Sequence, residues 1–280
     1  MKMNKFLLLS FSALLLTACG GETQTTTTKT DSVVVETTPE FETREFLKEA
    51  GDCKNTEENA CLHIAFTYPE FVKGNPTFLK MINQEIISFF TGFMQYNESG
   101  GDTTLEIAAN SMIAEWQDFQ KEMPDASLGW YVEGNASVVM LNSKLLSLSM
   151  SVDAFTGGAH PNATFVMKIF NLQTNQAFKL EEIVSDVNGL TKIAEGIFRQ
   201  QLEIPADASL EEQGFEFENN TFALNDNYMC SPEGLVFIYN TYEIAPYAAG
   251  STEIVIPWNK IEKILTPAFR EARGEVQAAL

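Results

Sequence analysis

The spacing of apolar residues changes once along this chain, and that change constrains its fold more than any other feature. Phe78, Met81, Ile82, Ile86, Phe89, Phe90 and Phe93 recur at steps of three and four. That period gives a helix one apolar face. Asn75-Pro76 opens the predicted helix and the stretch from Asn97 to Gly101 breaks it. With Asp102 or Thr103 as cap, Leu105, Ala108, Met112, Trp116, Phe119 and Met123 form a second stripe, which Pro124 stops. From Gly129 the step becomes two. Residues 129–141 and 144–155 read as strands joined at Asn142-Ser143, with Leu146, Leu148, Met150 and Val152 on one face.

The flanking regions extend the pattern. Residues 43–51 and 61–68 read as a strand pair, the second ending at Pro69. Further strands are expected at 164–172, 177–180, 215–224, 227–230, 235–244 and 252–256. An amphipathic helix is expected over 188–203, another begins at Pro257, and a last one runs over 267–276. Helices in blocks beside strands predict an α+β fold: mostly antiparallel sheets packed with amphipathic helices. Two consecutive subdomains are expected, over 43–150 and 151–280.

The first eighteen residues read as an export signal. Lys2 and Lys5 precede an apolar run from Phe6 to Leu16, which ends in Leu16-Thr17-Ala18-Cys19. Small residues before a cysteine suit cleavage by a lipoprotein signal peptidase, with lipid on Cys19. Each buried methylene of such a chain contributes about 0.8 kcal/mol, so two or more chains hold a protein at a membrane. Gly20, not an aspartate, follows the cysteine, which fits sorting to an outer membrane, facing the periplasm or the cell surface. The threonine-rich stretch over 19–42 has no periodicity and reads as a tether.

Charge narrows the partners. The chain carries 18 basic and 38 acidic residues, a formal net charge of −20 that becomes −22 when Lys2 and Lys5 leave with the signal. Such a field repels nucleic acid and attracts a cationic partner, although solubility alone also accounts for it. Once Cys19 is lipidated, three cysteines remain. Cys53 and Cys61 have the spacing of a disulfide closing a hairpin loop, and Cys230 reads as a buried thiol within a strand.

Motifs for chemistry are scarce. The two histidines, His63 and His160, are far apart, and no HExxH, GxSxG, P-loop or GxGxxG is present. Neither a metal nor a cofactor is expected, and no residue stands out as catalytic. Carboxylates are abundant enough to leave a glycosidase-style pair open.

Two segments draw attention. One is Phe155-Thr156-Gly157-Gly158-Ala159-His160-Pro161-Asn162, where paired glycines permit a close backbone approach. His160 either contacts a ligand or simply bonds to the backbone in a tight connection. The other runs from Tyr242 through Glu243 and Tyr247 to Gly250. Its tyrosines either make contacts with a partner or pack over a sheet edge, with Glu243 in a structural hydrogen bond.

The run TGGAHPN, the following NLQTNQAFKLEEI, and GLVFIYNTYEIAPYAAGSTEIVIPWNKIEKIL resemble the paired extracellular domains of RsiV-like anti-sigma factors and of PdaC-like peptidoglycan deacetylases, over roughly residues 43–268. RsiV-like proteins recognise lysozyme with this unit, and PdaC-like proteins carry it ahead of a catalytic domain. The sequence departs from both: it shows no sigma-binding segment and no deacetylase metal motif. The resemblance therefore implies a recognition unit, not an enzyme, with His160, Tyr242, Glu243 and Tyr247 as candidate binding residues. The expected partners are the membrane, through the lipid, and a cationic protein such as lysozyme or a cell-wall glycan. The alternatives are a carboxylate-dependent glycan hydrolase and a purely structural envelope lipoprotein.

Overall fold

The computed structural model describes residues 37–54, 61–94, 103–123 and 129–274. Everything below concerns the compact unit Glu36–Leu280. The signal over 1–18, Cys19 and most of the tether lie outside the described residues.

Strand β1 (Glu40–Gly51) starts three residues before position 43 and pairs antiparallel with β2 (Cys61–Lys73). Cys53 and Cys61 form a disulfide at the hairpin, with Cα atoms 5.0 Å apart. Replacing both by serine is expected to lower the unfolding free energy by about 2–3 kcal/mol on the chain-entropy account. The denaturant midpoint reads this out, and an unchanged midpoint contradicts it.

Pro69 does not end β2 as its sequence suggests; it pairs with Thr43 and the strand runs on to Lys73. The reason is local. Only Leu62–Thr67 of β2 also pair with the next strand, so beyond Thr67 one side of β2 is open and a proline is tolerated there.

Two helices carry the chain from β2 to β3 (Trp130–Leu141). Helix α1 (Pro76–Met94) is capped by Asn75, whose Oδ1 accepts from the Thr77 and Phe78 amides. Helix α2 (Leu105–Glu122) is capped by Thr104, one residue past the expected Asp102 or Thr103, because its hydroxyl reaches the Ile107 amide. This long crossover lets β3 return parallel to β2. Strands β4 (Leu145–Phe155), β5 (Asn162–Asn171) and β6 (Gln176–Ala177) then add antiparallel, giving a six-stranded sheet in chain order.

Alternation decides what each face of this sheet does. Leu62, Ile64 and Phe66 of β2 and Leu146, Leu148, Met150 and Val152 of β4 pack under Phe78, Ile82, Ile86 and Phe90 of α1. Gly134 lies beneath Phe90; a Cβ there would sit 2.7 Å from the ring, so helix and sheet meet this closely only over a glycine.

The rest of the chain builds a second core. Helix α3 (Leu180–Ile183) and helix α4 (Val187–Gln201) precede a three-stranded antiparallel sheet of β7 (Tyr228–Cys230), β8 (Gly234–Tyr239) and β9 (Thr252–Pro257). Helices α5 (Trp258–Ile261) and α6 (Pro267–Arg273) close it. Leu235, Phe237, Ile254 and Ile256 face Leu190, Ala194 and Phe198 of α4 and Phe269 of α6. Cys230 is fully buried there, and burial pushes its thiol far above the ordinary range. The α+β expectation holds, with one parallel pair among antiparallel strands.

Three expected strands differ. The one expected over 177–180 is only Gln176–Ala177, because Leu180 already begins α3, with the Lys179 amide donating to Glu182. Residues 215–224 form no strand: a 3-10 turn at Glu218–Asn220 holds Asn219 and Asn220 at φ of 53° and 52°, which a strand cannot continue through. The alternating phenylalanines there pack on Phe198 and on each other instead. The strand expected over 235–244 stops at Tyr239, and Tyr242 turns the chain with φ of 70°.

The two cores meet across β4 and β5. Leu145 and Ile169 belong to the second core, while their neighbours Leu146 and Phe170 belong to the first. A division at 150/151 falls inside β4. The face of the six-stranded sheet opposite α1 and α2 is therefore covered by the second core at one end, around Met140, Leu145 and Ile169.

Candidate functional site

The β4–β5 connection, Thr156–Pro161, and the β8–β9 connection, Asn240–Ser251, meet at the protein surface. His160 and Tyr242 are 82 residues apart in the chain, yet His160 Nε2 lies 3.0 Å from the Tyr242 hydroxyl. The imidazole stacks on the Tyr247 ring with centroids 3.7 Å apart and planes 21° from parallel. His160 Nδ1 lies 3.0 Å from the Pro161 carbonyl, which the Tyr247 hydroxyl also reaches as donor at 3.0 Å. A carbonyl only accepts, so in the neutral ring Nδ1 carries the hydrogen and Nε2 accepts from Tyr242. The result is an exposed platform of three rings: His160 is open to solvent and Tyr242 is 60% exposed.

Each part of the platform has a local cause. Gly157 takes a φ of 86°, and a Cβ on it would sit 3.2 Å from Trp130 Nε1, so the first loop passes closely over that indole. Glu243, grouped with the tyrosines on sequence grounds, is exposed, but its carboxylate is taken up by hydrogen bonds to Asn225 and to the Asn240 amide. Its Oε1 accepts from Asn225 Nδ2 at 2.6 Å and its Oε2 from the Asn240 amide at 2.8 Å. It closes the turn that presents Tyr242 and takes no place on the platform.

Three asparagines that sequence reasoning passed over hold the loops in place. The outer edge of β5 has no strand beside Phe165 and Met167. Asn240 Oδ1 accepts from the Phe165 amide at 2.7 Å and its Nδ2 donates to the Phe165 carbonyl at 2.9 Å. Asn227 does the same for the Met167 amide at 2.7 Å and the Phe165 carbonyl at 2.9 Å. Side-chain amides thus stand in for a neighbouring strand. Asn225 completes the set through the Ile238 carbonyl and Glu243. The visible signal was the density of asparagines flanking short strands, at 225, 227 and 240.

Beside the platform, the uncovered end of the six-stranded sheet forms a groove of about 580 Å³ lined by Glu45, Leu47, Thr67, Glu133, Asp153 and Phe165, among others. Tyr131, near Tyr247, donates to Asp153 Oδ1 at 3.1 Å. Its phenol is pushed up first by partial burial and then by that carboxylate. His63 lies 3.0 Å from Glu49 and 3.7 Å from Glu133, on the same face. Among the described residues, no three of His, Cys, Asp or Glu are grouped closely enough to hold a metal ion.

Two family models match the chain. Residues 55–163 match a model described as deacetylase PdaC, and residues 178–259 match one described as a protein of unknown function, DUF3298. The chain is homologous to PdaC-domain and DUF3298 proteins. This is a similarity to proteins of the cell envelope. His160 comes from the first matched segment and Tyr242 and Tyr247 from the second, so the platform forms where the two segments meet. Two solved structures share the fold. A DUF3298 family member from Bacteroides fragilis is 21% identical, with a TM-score of 0.63 over 85% of this chain and 98% of its own. A DUF3298 family protein from Pseudomonas aeruginosa is 16% identical, with a TM-score of 0.56 over 82% of this chain and 96% of its own. No curated protein matches the chain.

The first match corrects one expectation. The chain was expected to be no enzyme, because it lacks a deacetylase metal motif, but the model over residues 55–163 carries the name of a deacetylase, an enzyme family. A motif search missed this because the matched segment contains none of the short signatures sought.

Among the described residues, no helix is long and apolar enough to cross a membrane.

Proposed function

We propose that this chain is a lipid-anchored recognition protein of the cell envelope whose His160–Tyr242–Tyr247 platform takes a cationic protein of the lysozyme type. The convergence of the two loops into one exposed aromatic surface carries this reading. Exposed tyrosines supply contact area at small entropic cost, which suits a binding surface. The net charge of −20 steers a strongly basic partner toward it. Cys19 supplies the anchor, the threonine-rich stretch after it supplies the tether, and two consecutive subdomains sharing β4 and β5 present the platform.

The test is titration of the chain from Gly20 onward with hen-type lysozyme, at low and at physiological salt. The expected result is saturable binding that weakens with salt and persists at physiological ionic strength. His160→Ala with Tyr247→Ala is expected to weaken it at least tenfold, the loss typical of a binding hot spot. Binding that disappears at physiological salt, or that ignores the double substitution, overturns the reading.

A further inference from the structure

The face of the six-stranded sheet opposite α1 and α2 is buried at one end and bare at the other. At the buried end, Met140, Leu145 and Ile169 meet the second core. At the bare end, the residues that face each other across strands are set by register: Leu47 opposite Ala65, Ala65 opposite Glu133, and Glu133 opposite Asp153. One row away stand Glu45 opposite Thr67 and Glu49 opposite His63. This end therefore carries Glu45, Glu49, Glu133 and Asp153.

Among the described residues, no lysine or arginine forms an ion pair with any of these four carboxylates. The cations of β1 turn the other way: Arg44 pairs with Glu42 and Glu70, and Lys48 with Glu106 of α2. Glu133 and Asp153 stand directly opposite each other on adjacent strands, an arrangement of like charges that costs stability. Leu47, 60% exposed, and Ala65 lie beside these carboxylates in the same groove. Asp153 accepts from the Tyr131 hydroxyl, and His63 lies beside Glu49 and Glu133, but among the described residues no lysine or arginine neutralises these groups. Apolar stems flanked by carboxylates here match the side chain of lysine, four methylenes ending in an ammonium.

We propose that this bare face docks an extended, lysine-rich peptide segment, with aliphatic stems on Leu47 and Ala65 and ammonium groups at Glu133 and Asp153. The groove of about 580 Å³ has room for several side chains. The inference shares with the proposed function the expectation of a cationic ligand, but it concerns a different surface, and its test does not use lysozyme.

The probe is hexalysine, titrated into the chain from Gly20 onward at physiological salt. Glu133→Gln with Asp153→Asn is expected to weaken binding at least tenfold. Glu211→Gln with Glu212→Gln removes the same charge from a 3-10 turn outside the groove lining and is expected to change it less than twofold. Thr67→Arg plants a cation in the groove without touching either carboxylate and is expected to weaken binding as well. Equal losses in the groove and control pairs mean that the peptide senses only net charge, and this overturns the proposal, as does full-strength binding by the Thr67→Arg protein. Loss of lysozyme binding in the platform variant with hexalysine binding intact separates the two readings.

Discussion

Replacing Phe198 with alanine is expected to lower the unfolding free energy by about 3–5 kcal/mol, the range for emptying a buried phenylalanine site. Phe198 is fully buried on α4 and meets Phe215, Phe217 and Phe222 with ring centroids 5.0, 5.8 and 5.3 Å away. Those three belong to a segment without a strand ladder, so its attachment rests on ring packing and a few turn hydrogen bonds. The substitution removes the ring on which all three converge. The denaturant midpoint measures the loss. A loss below about 1 kcal/mol would mean that the segment collapses into the vacated space, since the cost of a cavity depends on how far its walls relax.

Removing both edge asparagines, Asn227→Ala with Asn240→Ala, is expected to cost about 3 kcal/mol. Four hydrogen bonds to the Phe165 and Met167 backbone disappear together, leaving amides and a carbonyl of β5 without protein partners. Each partly buried group left unsatisfied costs about 1 kcal/mol or more. The substitution also reaches the platform. Asn240 ties the start of the Tyr242 loop to β5, and β5 begins two residues after His160. The His160 ring signals in NMR are expected to shift toward those of a free loop, and lysozyme binding is expected to weaken in parallel. Asn240→Asp is a graded control: a carboxylate still accepts from the Phe165 amide but no longer donates to its carbonyl. Wild-type stability in the double alanine protein would mean that water replaces the amides at no net cost.

Much of the fold was legible in local patterns. The three-and-four spacing from Phe78 to Phe93 became α1, and the alternation from Leu146 to Val152 became the buried face of β4. The eight-residue interval between Cys53 and Cys61 became a disulfide. Residues 215–224 misled for a physical reason: alternating phenylalanines read as a strand when they are rungs wrapped over Phe198. Pro69 misled in the opposite sense, because whether proline stops a strand depends on which neighbour that strand has.

The candidate site divides in the same way. Composition marked the loops around His160 and Tyr247 as unusual, since paired glycines and clustered tyrosines are local facts. Their meeting was not local. It depends on β5 and β8 lying near one another, held there by Asn227 and Asn240 and by the packing of Met167 on Val236 and Ile238. The capture of the Glu243 carboxylate by Asn225 and the Asn240 amide, and the bare carboxylate face over β1 to β4, also follow from strand register and from how far the second core extends. Period and capping act within a few residues, so the order of helices and strands can be read from the chain. Which side chains share a surface is set by contacts between residues some eighty positions apart, as between His160 and Tyr242, and only the packed structure brings those together.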